Sequence, residues 1–364
     1  MRFPGFDGEW ETKKFGEMAK FSKGKGISKS DIEENGITEC IRYGELYTHY
    51  SEVINEIKSK TNVNTSALVL SKKNDIIIPA SGETTVDIAT ASCVLKSGIA
   101  LGGDLNIIRT ENNGVFLSYY LNSKKKMEIA NLAQGISVVH LYSSQLASLS
   151  LSLPKLDEQS KISSFLALLD ERIQTQNKII EQLETLIKGL CQELILTQTS
   201  NVKLKDCVSC YSSSLTETDV SNKNGTFPVY GATGIISFTE NYQINEDAVL
   251  IIKDGSGVGK VQYGTGKFSL IGTLNYLTAK KEINLRYIFF CLKFFNFGKY
   301  KVGSGIPHIY FKDYGEAFIY CPCLEKQDKI EQLLSSIEAK INIEKILLQK
   351  YEMQKKHLLQ HIFI

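Results

Sequence analysis

Four thiols supply the first chemistry to weigh. Cys207-x-x-Cys210 and Cys321-x-Cys323 have the residue type and close spacing that hold structural zinc as thiolates. "KDGSGVGK" at 253–260 has the glycine and lysine content of a phosphate-cradling loop. Its spacing fails, because Gly255 and Gly259 enclose three residues instead of four and Val261 stands where a magnesium-binding hydroxyl is required. The stretch reads instead as a Gly-rich turn between two strands, whose exposed N–H groups, with Lys253, Ser256 and Lys260, suit the phosphate of a nucleic acid. His49, His140, His308, His357 and His361 show no metal-ligand spacing, and the chain has neither a G-x-S-x-G elbow nor a Rossmann glycine fingerprint. The adenine methyltransferase signature and a helicase Walker pair are also absent from the sequence. No catalytic residue and no metal ligand is assigned.

Nucleic-acid signals are local. Net charge is only +2, so any polyanion site must come from placement of charge and not from its total. "FSKGKGISKS" gathers Lys23, Lys25 and Lys29 with Gly and Ser on a predicted loop. "RYGELY" presents Arg42 and Tyr43 and "VYGATGII" presents Tyr230 and Thr233, both read as mobile connections from which side chains reach base edges. Ser81, Thr84 and Thr85 in one segment, and Tyr211 and Ser212 in another, complete the candidate contact set. A solvated surface loop is the alternative for each. The aromatics of "LRYIFFCLKFFNF" fall at helical spacing and are assigned to a core.

These groups need elements to position them, and an internal echo shows which. "LPKLDEQSKI" at 153–162 recurs as "CPCLEKQDKI" at 321–330, 168 residues downstream, and both share the pattern P-x-L-x-x-Q-x-K-I. Apolar positions then step by four and three: Ile162, Leu166, Leu169, Ile173, Gln176, Ile180, Leu183, Ile187, Leu190. The second copy keeps the register at Ile330, Leu334, Ile337, Ile341, Glu344, Leu348, Tyr351, Lys355, Leu358 and Ile362. A 3.5-residue period held this long is a coiled-coil seam, and the polar residue at the same slot in each copy, Gln176 and Glu344, fixes register. The echo also bears on the thiols. Cys321 and Cys323 align with Leu153 and Lys155, and a looser match of "KLKDCVSCY" to "KFGEMAKFS" sets Cys207 and Cys210 opposite Met18 and Phe21. Mostly apolar counterparts favour buried thiols over a zinc site.

Before each helix lies a mixed segment. "NDIIIPASGETT", "SCVL" and "DLNIIRT" are predicted strands, followed by a helix in "GVFLSYYLNSKKK" and a stretch "GISVVHLY". "DAVLIIKDGSGVGK", "KFSLIG", "TLNYLTA", the helix "LRYIFFCLKFF" and "GSGIPHIYF" repeat that order. The fold class is therefore α+β, an internal duplication of globular domain and long helix, with boundaries 1–152, 153–197, 198–320 and 321–364. With 364 residues, 43% apolar and no export signal or membrane span in the sequence, the expected location is the cytoplasm, with its thiols reduced.

At this level the whole chain resembles the specificity subunit of type I restriction-modification systems, carried by "LPKLDEQSKI", "CPCLEKQDKI", "FPVYGATGII" and "VLIIKDGSGVGK". The resemblance implies two target recognition domains alternating with two helices that pack as an antiparallel coiled-coil spacer, with pseudo-twofold symmetry. It implies a non-catalytic reader of double-stranded DNA with a bipartite motif, one half-site per domain. It also implies docking to two modification (methyltransferase) subunits and, through them, to restriction (translocase and nuclease) subunits. S-adenosylmethionine, ATP and magnesium would belong to those partners, and none to this chain. A coiled-coil scaffold that binds only proteins is the alternative.

Overall fold

A computed structural model describes residues 2–220 and 225–363. Two compact units emerge, Met1–Gln176 with Leu347–Ile364, and Asn177–Ile346. In the first, a five-stranded sheet runs Ala19–Lys23, Leu105–Thr110, Asp75–Pro79, Ser92–Val94, Val53–Ile54. The apolar run of "DIIIP" explains its central place: every residue of Asp75–Pro79 is buried, as a strand covered on both faces requires. A four-stranded sheet of Ser59–Thr61, Thr38–Ile41, Ala100–Leu101 and Val69–Leu70 lies beside it in the same unit. In the second unit the sheets are Val208–Ser212, Leu274–Ala279, Ala248–Ile252, Val261–Gly264 and Gly234–Thr239, Phe227–Gly231, Lys267–Leu270, Ile244–Asn245.

The duplication is visible in individual hydrogen bonds. Phe15 N–H donates to Leu149 O at 2.8 Å, and Leu204 N–H donates to Ala317 O at 2.9 Å. Around these bonds Glu11–Lys14 pairs antiparallel with Ser150–Leu153, and Val202–Lys203 pairs antiparallel with Phe318–Ile319. The looser match of "KFGEMAKFS" to "KLKDCVSCY" corresponds to one structure in both units: a short strand, one helical turn (Phe15–Met18 and Leu204–Cys207), then a longer strand.

Two segments differ from expectation. "VYGATGII" is not a mobile connection but a hairpin, Phe227–Gly231 with Gly234–Thr239, turning at Ala232 and Thr233 with Gly234 at φ 109°. "RYGELY" follows a strand and forms the short helix Glu45–Thr48, with Glu45 and Leu46 buried. Tyr-Gly borders a tight turn in both places, and each tyrosine packs against a core.

The shared Pro and Gln of the recurring motif now have a physical reason. Gln159 and Gln327 are each 1% exposed. Gln159 Oε1 accepts from Asn113 N–H at 3.0 Å while its Nε2 donates to Pro154 O at 2.9 Å. Gln327 does the same with Asn284 N–H at 2.9 Å and Pro322 O at 2.8 Å. Each asparagine in turn caps the helix that crosses its sheet, Gly114–Ser123 or Leu285–Lys293, accepting from Phe116 N–H or Tyr287 N–H. The glutamine thus ties the start of the long helix to the start of the domain helix. Replacing Gln159 or Gln327 with Leu strands a partly buried N–H and a proline carbonyl, and each variant should lose about 1–3 kcal/mol in denaturant unfolding.

Long helices span Leu156–Cys191 and Leu324–His361. Ile162, Leu166, Leu169, Ile180 and Ile187 are buried, as are Ile330, Leu334 and Ile341 and the polar pair Gln176 and Glu344. Ile173, Leu183, Leu190, Ile337, Leu348, Tyr351 and Leu358 are half-buried, so no predicted seam position is exposed. In the first unit Asp170 meets Lys355 at 2.7 Å while Phe165 lies with His357 and Ile362. In the second, Glu184 meets Lys345 at 2.6 Å while Cys191 lies near Glu338. Both patterns are antiparallel. The charged seam slot Lys355 is explained by its partners: the ammonium also reaches Glu52 at 3.3 Å and lies over the Tyr119 ring. Burial works to lower its pKa, yet Glu52 and Asp170 hold it above the ordinary lysine value. At the position matching Asp170 in the repeat, Glu338 binds Arg286 and Lys293 of its own unit.

Candidate nucleic-acid interface

The predicted contact residues fall into three groups. Lys25, Lys29, Thr85, Ser212, Thr233, Ser256 and Lys260 are exposed. Lys29 sits in a 3-10 turn, Lys29–Asp31, beside Asp31, whose carboxyl is pulled below its ordinary value by the Ser28 hydroxyl and N–H. Thr233 is at the hairpin tip. Tyr211 is 49% exposed on an edge strand and stacks on Tyr276 with ring centroids 5.1 Å apart.

A second group is turned to structural use. Arg42 pairs with Glu45 at 3.5 Å, and Tyr43 packs on the core around Ile41 and Leu46. Tyr230 lies edge-on to Phe268 at 5.4 Å, and burial pushes its phenol up. Ser81 is buried, 7% exposed, where Ser81–Gly82 pairs with Val139–His140. Thr84 caps the turn Thr85–Ile88, accepting from Asp87 N–H.

The loop 253–260 also changes meaning. The N–H groups of Lys253, Gly255, Val258, Gly259 and Lys260 all donate to backbone carbonyls, so they are not free to cradle a phosphate. Its glycines serve the turn: Gly255 and Gly259 have φ of 94° and 87°, and a Cβ at Gly259 would stand 2.8 Å from Phe297. Lys253 is half-buried, its carbonyl accepting from Ile309 N–H at 3.0 Å.

A third group joins the predicted Lys23 to His140 and Tyr142, and sets His308 and Tyr310 beside the loop 253–260; these histidines and tyrosines were missed in the sequence. Lys23 is set 5.9 Å from the centre of the Tyr142 ring, and Tyr142 stacks on His140. In the other unit His308 Nδ1 meets Asp254 Oδ1 at 2.7 Å, and His308 stacks on Tyr310. The findable signal was the 168-residue offset, which pairs His140 with His308 and Tyr142 with Tyr310.

The four thiols are divided. Cys207 hydrogen-bonds Cys321, which raises the Cys207 pKa and lowers that of Cys321, while Cys210 contacts Tyr314. Cys323 is exposed. Among the described residues no group of three or more His, Cys, Asp or Glu is placed to hold a metal ion, and no helix is long and apolar enough to cross a membrane.

Known proteins match this architecture. The family model for the type I restriction modification DNA specificity domain matches twice, over residues 7–185 and 198–353. The type I restriction enzyme MjaVIII specificity subunit of Methanocaldococcus jannaschii is 24% identical, the alignment covering 96% of this chain and 91% of that protein. A putative type I restriction enzyme specificity subunit of Haemophilus influenzae is 27% identical over 32% of this chain and 31% of its own length. The crystal structure of the type I restriction-modification system S subunit from M. genitalium superposes with a TM-score of 0.75 at 18% identity, covering 100% of this chain and 99% of that one. Two matches to one domain model, each ending in a long helix whose buried glutamine ties it to its own domain helix, place the chain in the type I restriction-modification DNA specificity family.

Proposed function

We propose that the chain is the DNA-reading subunit of a methyltransferase and restriction complex, recognising a bipartite double-stranded motif with one half-site per recognition domain. The duplication carries this reading: the same fold occurs twice, each copy with its own exposed loops, which suits two separate contacts on one duplex. Domain boundaries follow as 1–152 and 198–320 for the readers and 153–197 and 321–364 for the spacer helices. Lys25 and Lys29 in one reader, and Tyr211, Thr233, Ser256 and Lys260 in the other, are its outward contacts.

Partner docking has its own support. Leu156 and Leu324, 52% and 42% exposed, occupy matching positions on the two helices, as do Phe165 and Leu333 at 39% and 44%. Matched apolar side chains left in solvent suit two copies of one partner. Those partners are the modification subunits, which bring S-adenosylmethionine, and through them the restriction subunits with ATP and magnesium. This chain contributes no catalytic group, and the complex works in the cytoplasm.

A salt titration of DNA binding, made with the modification subunit present, tests the reading. Affinity for duplex DNA should fall steeply and log-linearly with salt as phosphate contacts are lost. A complex that assembles but binds no DNA at low salt would establish the protein-only scaffold instead.

A further inference from the structure

Outside the helices, both copies retain the His-x-Tyr stretch in structural detail. Gln134 and His140 exchange two backbone hydrogen bonds, 2.9 and 2.7 Å, and Val302 and His308 exchange two, 2.9 and 2.8 Å. Each closed loop begins with a glycine at positive φ, Gly135 at 126° and Gly303 at 92°. Each histidine stacks on its tyrosine with ring centroids 6.5 Å apart. The residue between them donates to the carbonyl just past the central strand, Leu141 to Ala80 and Ile309 to Lys253, both at 3.0 Å.

The cation over the tyrosine is retained although its source has changed. Lys23 stands over Tyr142 at 5.9 Å, whereas Lys312 stands over Tyr310 at 5.5 Å. Position 144, which matches Lys312, is Ser144; position 212, which matches Lys23, is Ser212. Two different exchanges leave one lysine above each exposed ring. Such compensation is expected where the ammonium itself has work to do and not where it is a by-product of packing. Tyr142 and Tyr310 are 47% and 48% exposed, so the groups face solvent.

We infer that Lys23, His140 and Tyr142 in one unit, and Lys312, His308 and Tyr310 in the other, are a matched pair of contacts for backbone phosphate. The assignment rests on the DNA-reading function above. Two readers that recognise different half-sites can share only the part of the interface that is indifferent to base sequence, and that part is the sugar-phosphate backbone. The chemistry agrees: an ammonium, an imidazole nitrogen and a phenol are all phosphate hydrogen-bond donors when suitably protonated. Asp254 occupies Nδ1 of His308 and so leaves Nε2, a donor to phosphate in the imidazolium form, as the ring nitrogen for an outside partner. These contacts set the register of each reader, and the divergent loops then read bases.

The test uses the full chain assembled with its modification subunits, and the variant pairs K23A/H140A and H308A/K312A. Affinity for the cognate duplex and for a scrambled duplex is measured across salt, and methylated sites are sequenced. Each pair should weaken both duplexes by the same factor, roughly 10-fold at low salt, and reduce the salt slope by about 1 for the lost lysine contact. The methylated motif should not change. Lys23→Arg and Lys312→Arg should restore binding. A changed motif, a loss confined to the cognate duplex, or unaltered affinity would overturn the assignment while leaving the DNA-reading function standing. Failure of the unsubstituted complex to bind either duplex would remove that function and this assignment together.

Discussion

Replacing residues 1–150 with the corresponding segment of a different reader should change one half of the methylated motif and leave the other half and the gap between them intact. Each unit has its own sheets and its own buried core, centred on Phe15, Ile76 and Phe116 in one and on Val249, Tyr287 and Phe290 in the other. The exchanged segment must still seat on the long helix. That seat includes the Asn113 N–H donating to Gln159 and a core that takes in Ile162 and Leu166, so the donor has to present a free backbone N–H at the position of Asn113, with a side chain that caps the domain helix. Sequencing of methylated adenines after the exchange reads the result. If both halves changed, or neither, the one-reader-per-half-site account would be wrong.

A four-residue insertion in both long helices, after Gln176 and after Glu344, should lengthen the unread gap without altering either half-site. The seam is a 3.5-residue repeat, which absorbs a four-residue stutter by local unwinding. Four residues add roughly 6 Å of helix, equivalent to one or two base-pair steps of about 3.4 Å. Both sites are polar slots in the two seams, 168 residues apart, so the insertion keeps the duplicated halves matched. A longer gap with the same half-sites is the predicted outcome; an unchanged gap in a folded, active complex would remove the helices from any measuring role.

How far the sequence disclosed this molecule depended on whether the signal was local. The heptads of Leu156–Cys191 and Leu324–His361 were legible because a seam leaves a regular period, and the fully apolar "DIIIP" announced a covered strand. The P-x-L-x-x-Q motif was legible as a junction, but its reason was not. Gln159 and Gln327 lock onto Asn113 and Asn284, which are distant in sequence and share no periodicity with them. The surroundings of the candidate contact residues were the least legible. Ser81 and Thr84 look like exposed loop hydroxyls; Ser81 lies in a buried strand pair, whereas Thr84 is exposed and also caps a turn. Tyr230 looked free beside glycine but packs against Phe268. Taken singly, His140 and His308 fit no ligand spacing. The role proposed for them rests on comparison of the two copies and on the apposition of Lys23 to Tyr142, which no spacing in the chain reveals.

The central claim is that two linked readers specify one split site. Sequencing every methylated adenine in DNA modified by the complete complex tests it most directly. The account predicts a single motif of two unlike, short half-sites, separated by a fixed number of unread base pairs and with an adenine methylated in each. A contiguous motif, or methylation with no sequence preference, would contradict it.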